Sequence, residues 1–153
     1  MELRKINLQD VEAQWEYTTN LSEDENGLTN SYYGVSFDDY KDKVLPKQIS
    51  HENPVDMPDW FVPETYYYLW DEDKLIGEFR IRHYLTDALR EGAGHIGYSI
   101  AKEYRGKGYG TEGLRLTLFM LHGAGCSFFF FLKCSNMNTL FFLTRTKLFC
   151  ISE

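Results

Sequence analysis

The stretch 95–110, HIGYSIAKEYRGKGYG, constrains the fold of this chain more than any other. It begins with six residues of strand character, passes through a short charged connection and ends in a glycine-rich turn. Glycine tolerates positive φ, so Gly106, Gly108 and Gly110 allow consecutive backbone N–H groups to converge on one point. We expect a helix to follow, with free N–H groups and a positive dipole end. The stretch therefore predicts a phosphate-binding loop, with Arg105 and Lys107 adding charge at its rim.

Two common nucleotide-binding motifs do not fit this loop. Residues 108–113 read G-x-G-x-x-G, but a dinucleotide site also needs an acidic residue about 20 positions further on. No Asp or Glu lies between Glu112 and Glu153. The P-loop of nucleotide triphosphatases is also unsuitable, because no G-K-[ST] follows the first glycine. The pattern that fits is Arg105-x-x-Gly108-x-Gly110.

This pattern resembles the pyrophosphate loop of the GNAT acetyltransferase superfamily, R/Q-x-x-G-x-G/A after a bulged strand. The words GHIGYSI at 94–100 and RIRHYL at 80–85 resemble one bacterial branch of predicted acetyltransferases, and the similarity is most specific over residues 71–121. It implies one domain over 1–153 with an α/β (α+β) fold. That fold has a mixed, mostly antiparallel central sheet flanked by helices and splayed at the acetyl-CoA cleft.

The resemblance also implies how acetyl-CoA, the acetyl donor, would be held. The loop would bind the pyrophosphate through backbone N–H groups, and the pantetheine arm would run along the preceding strand like an added strand. Arg105 would brace the loop or pair with phosphate. In the family an Asn at the position of Asn138 begins the last helix. The implied cofactor-binding residues are Ile100, Lys102, Arg105, Gly106, Lys107, Gly108, Tyr109, Gly110, Thr111 and Asn138.

Candidates for proton transfer are few, because the C-terminal third has almost no carboxylates. Glu78 and His95 lie on or beside predicted central strands, and either is a candidate base; a surface carboxylate and a structural histidine are the alternatives. Tyr98 is a candidate donor to the leaving thiolate, or a core tyrosine. Four further residues are candidates for the acceptor side, from the aromatic segment after the first helix and from the family word at 80–85: Tyr32, Tyr33, Arg82 and His83. For the two tyrosines, packing within the protein is the alternative and the favoured role.

The charge and cysteine content of the chain limit the kinds of ligand and partner that it can bind. The chain has a net charge of −7, which argues against general binding of nucleic acid or a membrane surface. A local basic group, Lys102, Arg105, Lys107 and Arg115, would serve a polyanionic ligand. The three cysteines form no C-x-x-C pair, so we predict reduced cytoplasmic thiols and no metal site.

Local patterns predict the elements that lead to the loop. We expect a strand at 3–7, a helix at about 10–21, and a helix from Ser36 that ends or kinks at Pro46. Strands at 65–70 and 75–82 form a hairpin, followed by one helical turn within 84–90 and the strand from His95. A helix from Thr111 presents Leu114, Thr117, Leu118 and Leu121 on one face, and residues 126–133 form a buried strand beside a parallel neighbour.

The tail, residues 139–153, is atypical. It lacks the Asn-Gly-Gly turn and the two further strands of the family, so the last strands are expected to be missing. Either the domain ends in a buried segment, or the gene is truncated or its reading frame altered. Because the tail is too apolar to remain solvated, we expect it to fold back over the core or to contribute to a homodimer interface.

The resemblance implies an acetyl-CoA-dependent N-acetyltransferase that acts on an amine of a small molecule or peptide by direct attack on the thioester. A catalytically weak acyl-CoA-binding module is the alternative. A nucleotide-binding protein is disfavoured by the missing ribose acid and P-loop lysine.

Overall fold

The structure is a computed structural model that describes residues 1–25, 28–123, 132–134, 137–144 and 147–152, with side chains described for 1–24 and 29–122. A four-stranded antiparallel sheet in the order β1-β4-β5-β6 lies at its centre. Its strands are β1 (Glu2–Lys5), β4 (Glu64–Asp71), β5 (Lys74–Arg82) and β6 (Ile96–Ile100). Two short strands, β2 (Asp24–Glu25) and β3 (Leu28–Thr29), form a separate hairpin.

The predicted hairpin and the strand before the loop are confirmed. Asp71 pairs with Lys74 across the β4–β5 turn, where Glu72 adopts a φ of 54°. On the other side of β5, Glu78 pairs with Ser99 and Phe79 with Tyr98. The alternation of side chains along a strand therefore places Glu78 and Phe79 on opposite faces of the sheet.

Each face of the sheet is covered by helices. Helix α5 (Tyr109–Gly123) packs on the Phe79 face, where Leu114, Leu118 and the fully buried Thr117 confirm the predicted apolar stripe. Helix α1 (Val11–Asn20) covers the Glu78 face together with the helical stretch 37–50. Tyr17, Tyr66 and Tyr68 lie in this second core. The central sheet thus lies between two helical layers.

The stretch 37–50 is helical throughout and consists of α2 (Phe37–Asp39), a π-helical turn (Tyr40–Val44) and α3 (Leu45–Ser50). Ser36 caps it, accepting a hydrogen bond from the Asp39 N–H, as its sequence predicts. Pro46 does not end the helix. A proline inside an α-helix loses a backbone bond and crowds the preceding turn. The wider turn before Pro46, closed by a bond from Leu45 N–H to Tyr40 O, allows the helix to continue.

Between β5 and β6, α4 (Asp87–Glu91) supplies the predicted helical turn, capped by Thr86. After β6, a 3₁₀ turn (Lys102–Tyr104) leads into the glycine turn.

The C-terminal region differs from its prediction. Two strands, β8 (Met137–Thr144) and β9 (Lys147–Ser152), follow β7 (Leu132–Cys134) in an antiparallel sheet ordered β7-β8-β9, so the last strands are present. Asn138 lies in β8 and does not begin a helix. The following TLFFLT is rich in β-branched and aromatic residues, which favours a strand. Of the strand predicted at 126–133, residues 126–131 fall outside the described ranges. The described part pairs antiparallel with β8.

Candidate acetyl-CoA and acceptor site

The glycine turn has the backbone conformation that its sequence predicts at two positions. Gly106 has a φ of 72° and Gly108 a φ of 83°, which residues with a side chain rarely adopt. A Cβ at either position would meet no described atom within 4 Å, so the backbone there is open to a ligand. Gly110 differs, because it lies in the first turn of α5 and a Cβ there would come 3.1 Å from Tyr98 Cε2. Its small size is therefore needed for packing.

Arg105 fixes the turn to the end of β6. Its Nε donates a hydrogen bond of 2.8 Å to the backbone oxygen of Ile100. The hydroxyl of Tyr109 donates to Asp71 at 3.1 Å and ties the start of α5 to the β4–β5 turn. Of the two roles predicted for Arg105, the geometry favours bracing.

The basic group around the turn is less free than its sequence indicates. Lys107 donates to the Glu103 backbone oxygen and lies 5.6 Å from the centre of the Tyr104 ring. Arg115 makes two hydrogen bonds with Glu112, which neutralise its charge. The positive charges of Lys107 and Arg115 therefore already have partners within the protein.

The outer edge of β6 could hold an extended ligand. Backbone bonds from Arg82 N to His95 O and from Ala101 N to Ile76 O direct the odd-numbered residues toward β5. In an antiparallel pair the intervening residues then direct their N–H and C=O groups away from that partner. Among the described strands, β6 has no neighbour on this edge. The Ile100 N–H lies on it, whereas the Ile100 oxygen is occupied by Arg105.

Tyr98 lies on the α5 face of the sheet. Its ring stacks on Phe79, with centroids 5.3 Å apart and planes 6° apart, and it remains 36% exposed. Glu78 and His95 belong to the opposite face, as the register shows. The structure thus separates the candidate acid from both candidate bases and places it beside Gly110.

Glu78 is the better placed of the two candidate bases in electrostatic terms. It is half-buried in the central strand β5, and among the described residues its carboxylate makes no hydrogen bond or close ion pair. Burial raises the pKa of Glu78, the nearby Arg80 opposes this, and Glu64 adds to it. A carboxyl group with a raised pKa is a stronger base once ionised, which suits it to accept a proton near neutral pH.

Ser99, opposite Glu78, is held by Tyr17. The Tyr17 hydroxyl donates to the Ser99 backbone oxygen at 2.9 Å and lies 2.8 Å from the Ser99 Oγ. Since a phenol has one proton, the Ser99 hydroxyl then donates to Tyr17. Burial raises the pKa of Tyr17, so this pair remains protonated.

Beside Glu78 lies a group of charged residues that we call the guanidinium cluster: Glu64, Arg80 and Arg82. Arg80 Nε lies 3.5 Å and Arg82 Nε 4.0 Å from Glu64 Oε2. The other carboxylate oxygen of Glu64 accepts a 2.9 Å hydrogen bond from Tyr66 and lies 3.6 Å from His51. Burial lowers the pKa of His51, against the attraction of Glu64, and keeps the ring uncharged at neutral pH.

His95 is half-buried at the start of β6. Desolvation lowers its pKa, and the positive charges of Arg82 and Arg90 lower it further. The neutral ring can therefore accept a proton at pH 7. Glu78 and His95, the two candidate bases, thus lie on the same face of the sheet.

The residues predicted for the acceptor side divide between two places. Tyr32 is half-buried, and burial chiefly raises its pKa; Arg80 of the guanidinium cluster lowers it, whereas Glu64 and Glu78 raise it. Arg82 belongs to that cluster and donates to the Gly94 oxygen at 2.8 Å. His83 instead contacts Thr65 on the other face, at 2.9 Å, and Tyr33 is 57% exposed.

Sequence reasoning missed Glu64, Arg80 and Tyr17. The signal for Arg80 was present: Glu78, Arg80 and Arg82 alternate along a central strand, so they share one face. Glu64 stands opposite Arg82 in the register, which no local pattern predicts. Tyr17 and Ser99 meet across 82 positions of sequence.

Two features are absent from the described residues. In those ranges no three His, Cys, Asp or Glu side chains are grouped so as to hold a metal ion. Nor does any described helix combine the length and the apolar composition needed to cross a membrane.

Comparison with known proteins agrees with this geometry. The model of the GNAT acetyltransferase family matches residues 29–145, which include the strands of the central sheet except β1, the glycine turn and β8. No curated protein and no solved structure matches the chain. The family match covers well over half of the chain, and the protein therefore belongs to the GNAT family of acetyltransferases.

Proposed function

We propose that this protein is an N-acetyltransferase that transfers the acetyl group of acetyl-CoA to an amine of a small molecule or peptide by direct attack on the thioester. The observation that carries the proposal is the glycine turn at the end of a strand whose outer edge has no described partner. These two features suit the two parts of acetyl-CoA, its pyrophosphate and its extended arm.

The residues of the turn fit the pyrophosphate. We assign its binding to backbone N–H groups of residues 106–110, with Thr111 in the first turn of α5 and Arg105 holding the turn in shape. The open space at Gly106 and Gly108 lets an anion approach the backbone. The N–H groups of Ile100 and Lys102 would hold the arm along β6. Acetyl-CoA supplies the activated acetyl group.

The opposite face of β5 would receive the amine. An amine attacks only when deprotonated, so the site needs a proton acceptor. We assign this role to Glu78, with His95 as the second candidate, because Glu78 lies on a central strand and its carboxylate has no close partner among the described residues. Tyr98 lies on the other face of the sheet, beside the glycine turn. It would therefore donate a proton to the leaving sulfur only from that face.

A turnover assay tests this proposal. Purified protein with acetyl-CoA should release free thiol only when an amine is present, and mass spectrometry should find the amine heavier by one acetyl group. Acetyl-CoA binding without turnover on any amine of a broad panel would instead identify an acyl-CoA-binding module. Absence of acetyl-CoA binding would contradict the proposal altogether.

A further inference from the structure

We propose that Arg80 binds an anionic group of the acceptor, so that the acceptor is a small amine that also carries a carboxylate or a phosphate. This inference rests on the proposed acetyltransferase function and specifies its substrate class. The first observation is that Arg80 retains donor capacity. Its Nε is buried and has no hydrogen-bond acceptor in the described part of the chain. The contact with Glu64 is a 3.5 Å ion pair without hydrogen-bond geometry.

The charges of the guanidinium cluster support the same conclusion. Among the described residues, two guanidinium groups share one close carboxylate, that of Glu64, and Tyr66 already occupies its second oxygen. Arg82 is committed to the Gly94 oxygen, and its side chain is only 11% exposed. The Arg80 side chain is 29% exposed. Arg80 is therefore the guanidinium that a ligand can reach. Its planar group of donors matches a carboxylate or a phosphate.

The Arg80 guanidinium lies beside a glycine of β6. Arg80 pairs with Gly97 in β6, and a Cβ at Gly97 would lie 3.8 Å from Arg80 Nη2 and 3.9 Å from Nε. Any larger side chain there would press on the guanidinium. Gly97 therefore places no side chain against the charged group.

The position of Glu78 then sets the size of the acceptor. Glu78 and Arg80 point to the same face of β5, about 7 Å apart along the strand. An amine at Glu78 and an anionic group at Arg80 can belong to one molecule of amino-acid size. The Glu78 carboxylate attracts the amine end and the Arg80 guanidinium attracts the anionic end. The site therefore favours such a molecule over an alkylamine that carries no anionic group.

The test compares matched acceptors that differ in the anionic group: alanine against alaninamide, and 2-aminoethyl phosphate against 2-aminoethanol. We expect wild type to prefer one anionic member, and this identifies the group as carboxylate or phosphate. Arg80→Gln should lower kcat/KM for that acceptor by about tenfold or more, mainly through KM, because a charged hydrogen bond is lost. Its effect on the neutral partner should be clearly smaller, because both members of a pair share any change that the loss of Arg80 makes in the pKa of Glu78. Comparing each pair in wild type and variant cancels differences in amine reactivity.

Two variants serve as controls. Arg80→Lys keeps the charge but not the planar donors and should restore part of the preference. Arg80 lies 6.0 Å from the centre of the Tyr66 ring. Arg4→Gln is the matched control, since Arg4 lies 4.5 Å from the centre of the Trp70 ring and also pairs with a glutamate, but at the far edge of the sheet. It should leave the preference unchanged.

Equal losses for anionic and neutral acceptors in Arg80→Gln would overturn the proposal, and so would a wild type without preference. If wild type acetylates no amine, the proposed function fails separately. Calorimetric titration with N-acetylalanine and its amide then decides the role of Arg80. Tighter binding of the acid, lost in Arg80→Gln, supports the anion site, and equal binding overturns it. Circular dichroism establishes that the variants are folded.

Discussion

Arg105 donates a 2.8 Å hydrogen bond through Nε to the backbone oxygen of Ile100, and so joins the glycine turn to the last residue of β6. An arginine in this motif could instead serve as a cation that binds phosphate directly. The two roles predict different responses to salt, since Coulomb attraction at an exposed site is screened and a structural hydrogen bond is screened much less.

We therefore predict that Arg105→Ala lowers acetyl-CoA affinity by about tenfold, the size expected for loss of a charged hydrogen bond. The loss should be similar at low and high salt. Titration calorimetry at two ionic strengths measures it, with Arg115→Ala as a control whose charge is already paired with Glu112. A loss confined to low salt would indicate a direct phosphate contact.

Gly108→Ala should abolish measurable acetyl-CoA binding. At a φ of 83° an alanine costs about 1–2 kcal/mol, and its methyl group fills the space that the ligand needs. Gly34→Ala is the matched control, because Gly34 has a φ of 70° and open surroundings but lies outside the turn. It should lose similar stability and keep its acetyl-CoA affinity. Normal affinity in Gly108→Ala would remove the turn from the site.

Glu78→Gln should lower kcat/KM by at least about tenfold and flatten the acidic limb of its pH profile, because glutamine cannot accept the proton. His95→Ala should do so instead if His95 is the base. Glu16→Gln, an exposed change on α1, serves as the control. If neither base variant moves the rate by about tenfold, the amine loses its proton to water and catalysis depends on positioning.

The same substitution should not destabilise the protein at pH 7. Burial raises the pKa of Glu78, so the folded protein favours the protonated carboxyl group. This group therefore contributes its full stability at pH values below its pKa in the unfolded chain, and the contribution is lost as the pH rises through its pKa in the folded protein. Glutamine avoids this loss. Thermal unfolding should give Glu78→Gln a Tm equal to or above that of wild type at pH 7, with the advantage vanishing at acidic pH. A lower Tm at pH 7 would show that the carboxylate is structurally stabilising.

Gly113→Ala should destabilise the fold by about 1–3 kcal/mol, the usual cost of overfilling a core. A Cβ at Gly113 would lie 2.6 Å from Phe79 Cε2 and 2.9 Å from Leu69 Cδ2. Chemical denaturation measures the loss. Adding Phe79→Leu should recover part of it if crowding is the cause, and additive losses would contradict that explanation.

A homodimer remains our prediction for the assembly, because residues 139–153 are too apolar for a solvated tail. Sedimentation at micromolar concentration should give twice the chain mass of about 18 kDa. A monomer throughout would rule it out.

The sequence alone determined the elements that depend on local chemistry. The glycine spacing at 106–110 predicted a turn with positive φ, and the structure has it at Gly106 and Gly108. Ser36 and Asp39 predicted a helix cap, and the alternation in 75–82 predicted a central strand. Each of these signals lies within a few residues, because backbone conformation and side-chain period are local properties.

Only the tertiary structure decided which side chains share a site. It placed Tyr98 on the opposite face from Glu78, brought Tyr17 to Ser99, and set Glu64 beside Arg80 and Arg82. It also continued a helix through Pro46, by widening the turn before it. Strand register and helix packing bring these partners together across tens of residues. The same packing removes water from Glu78 and raises its pKa. The basicity of that carboxylate therefore depends on the tertiary structure and not on the residues next to it in sequence.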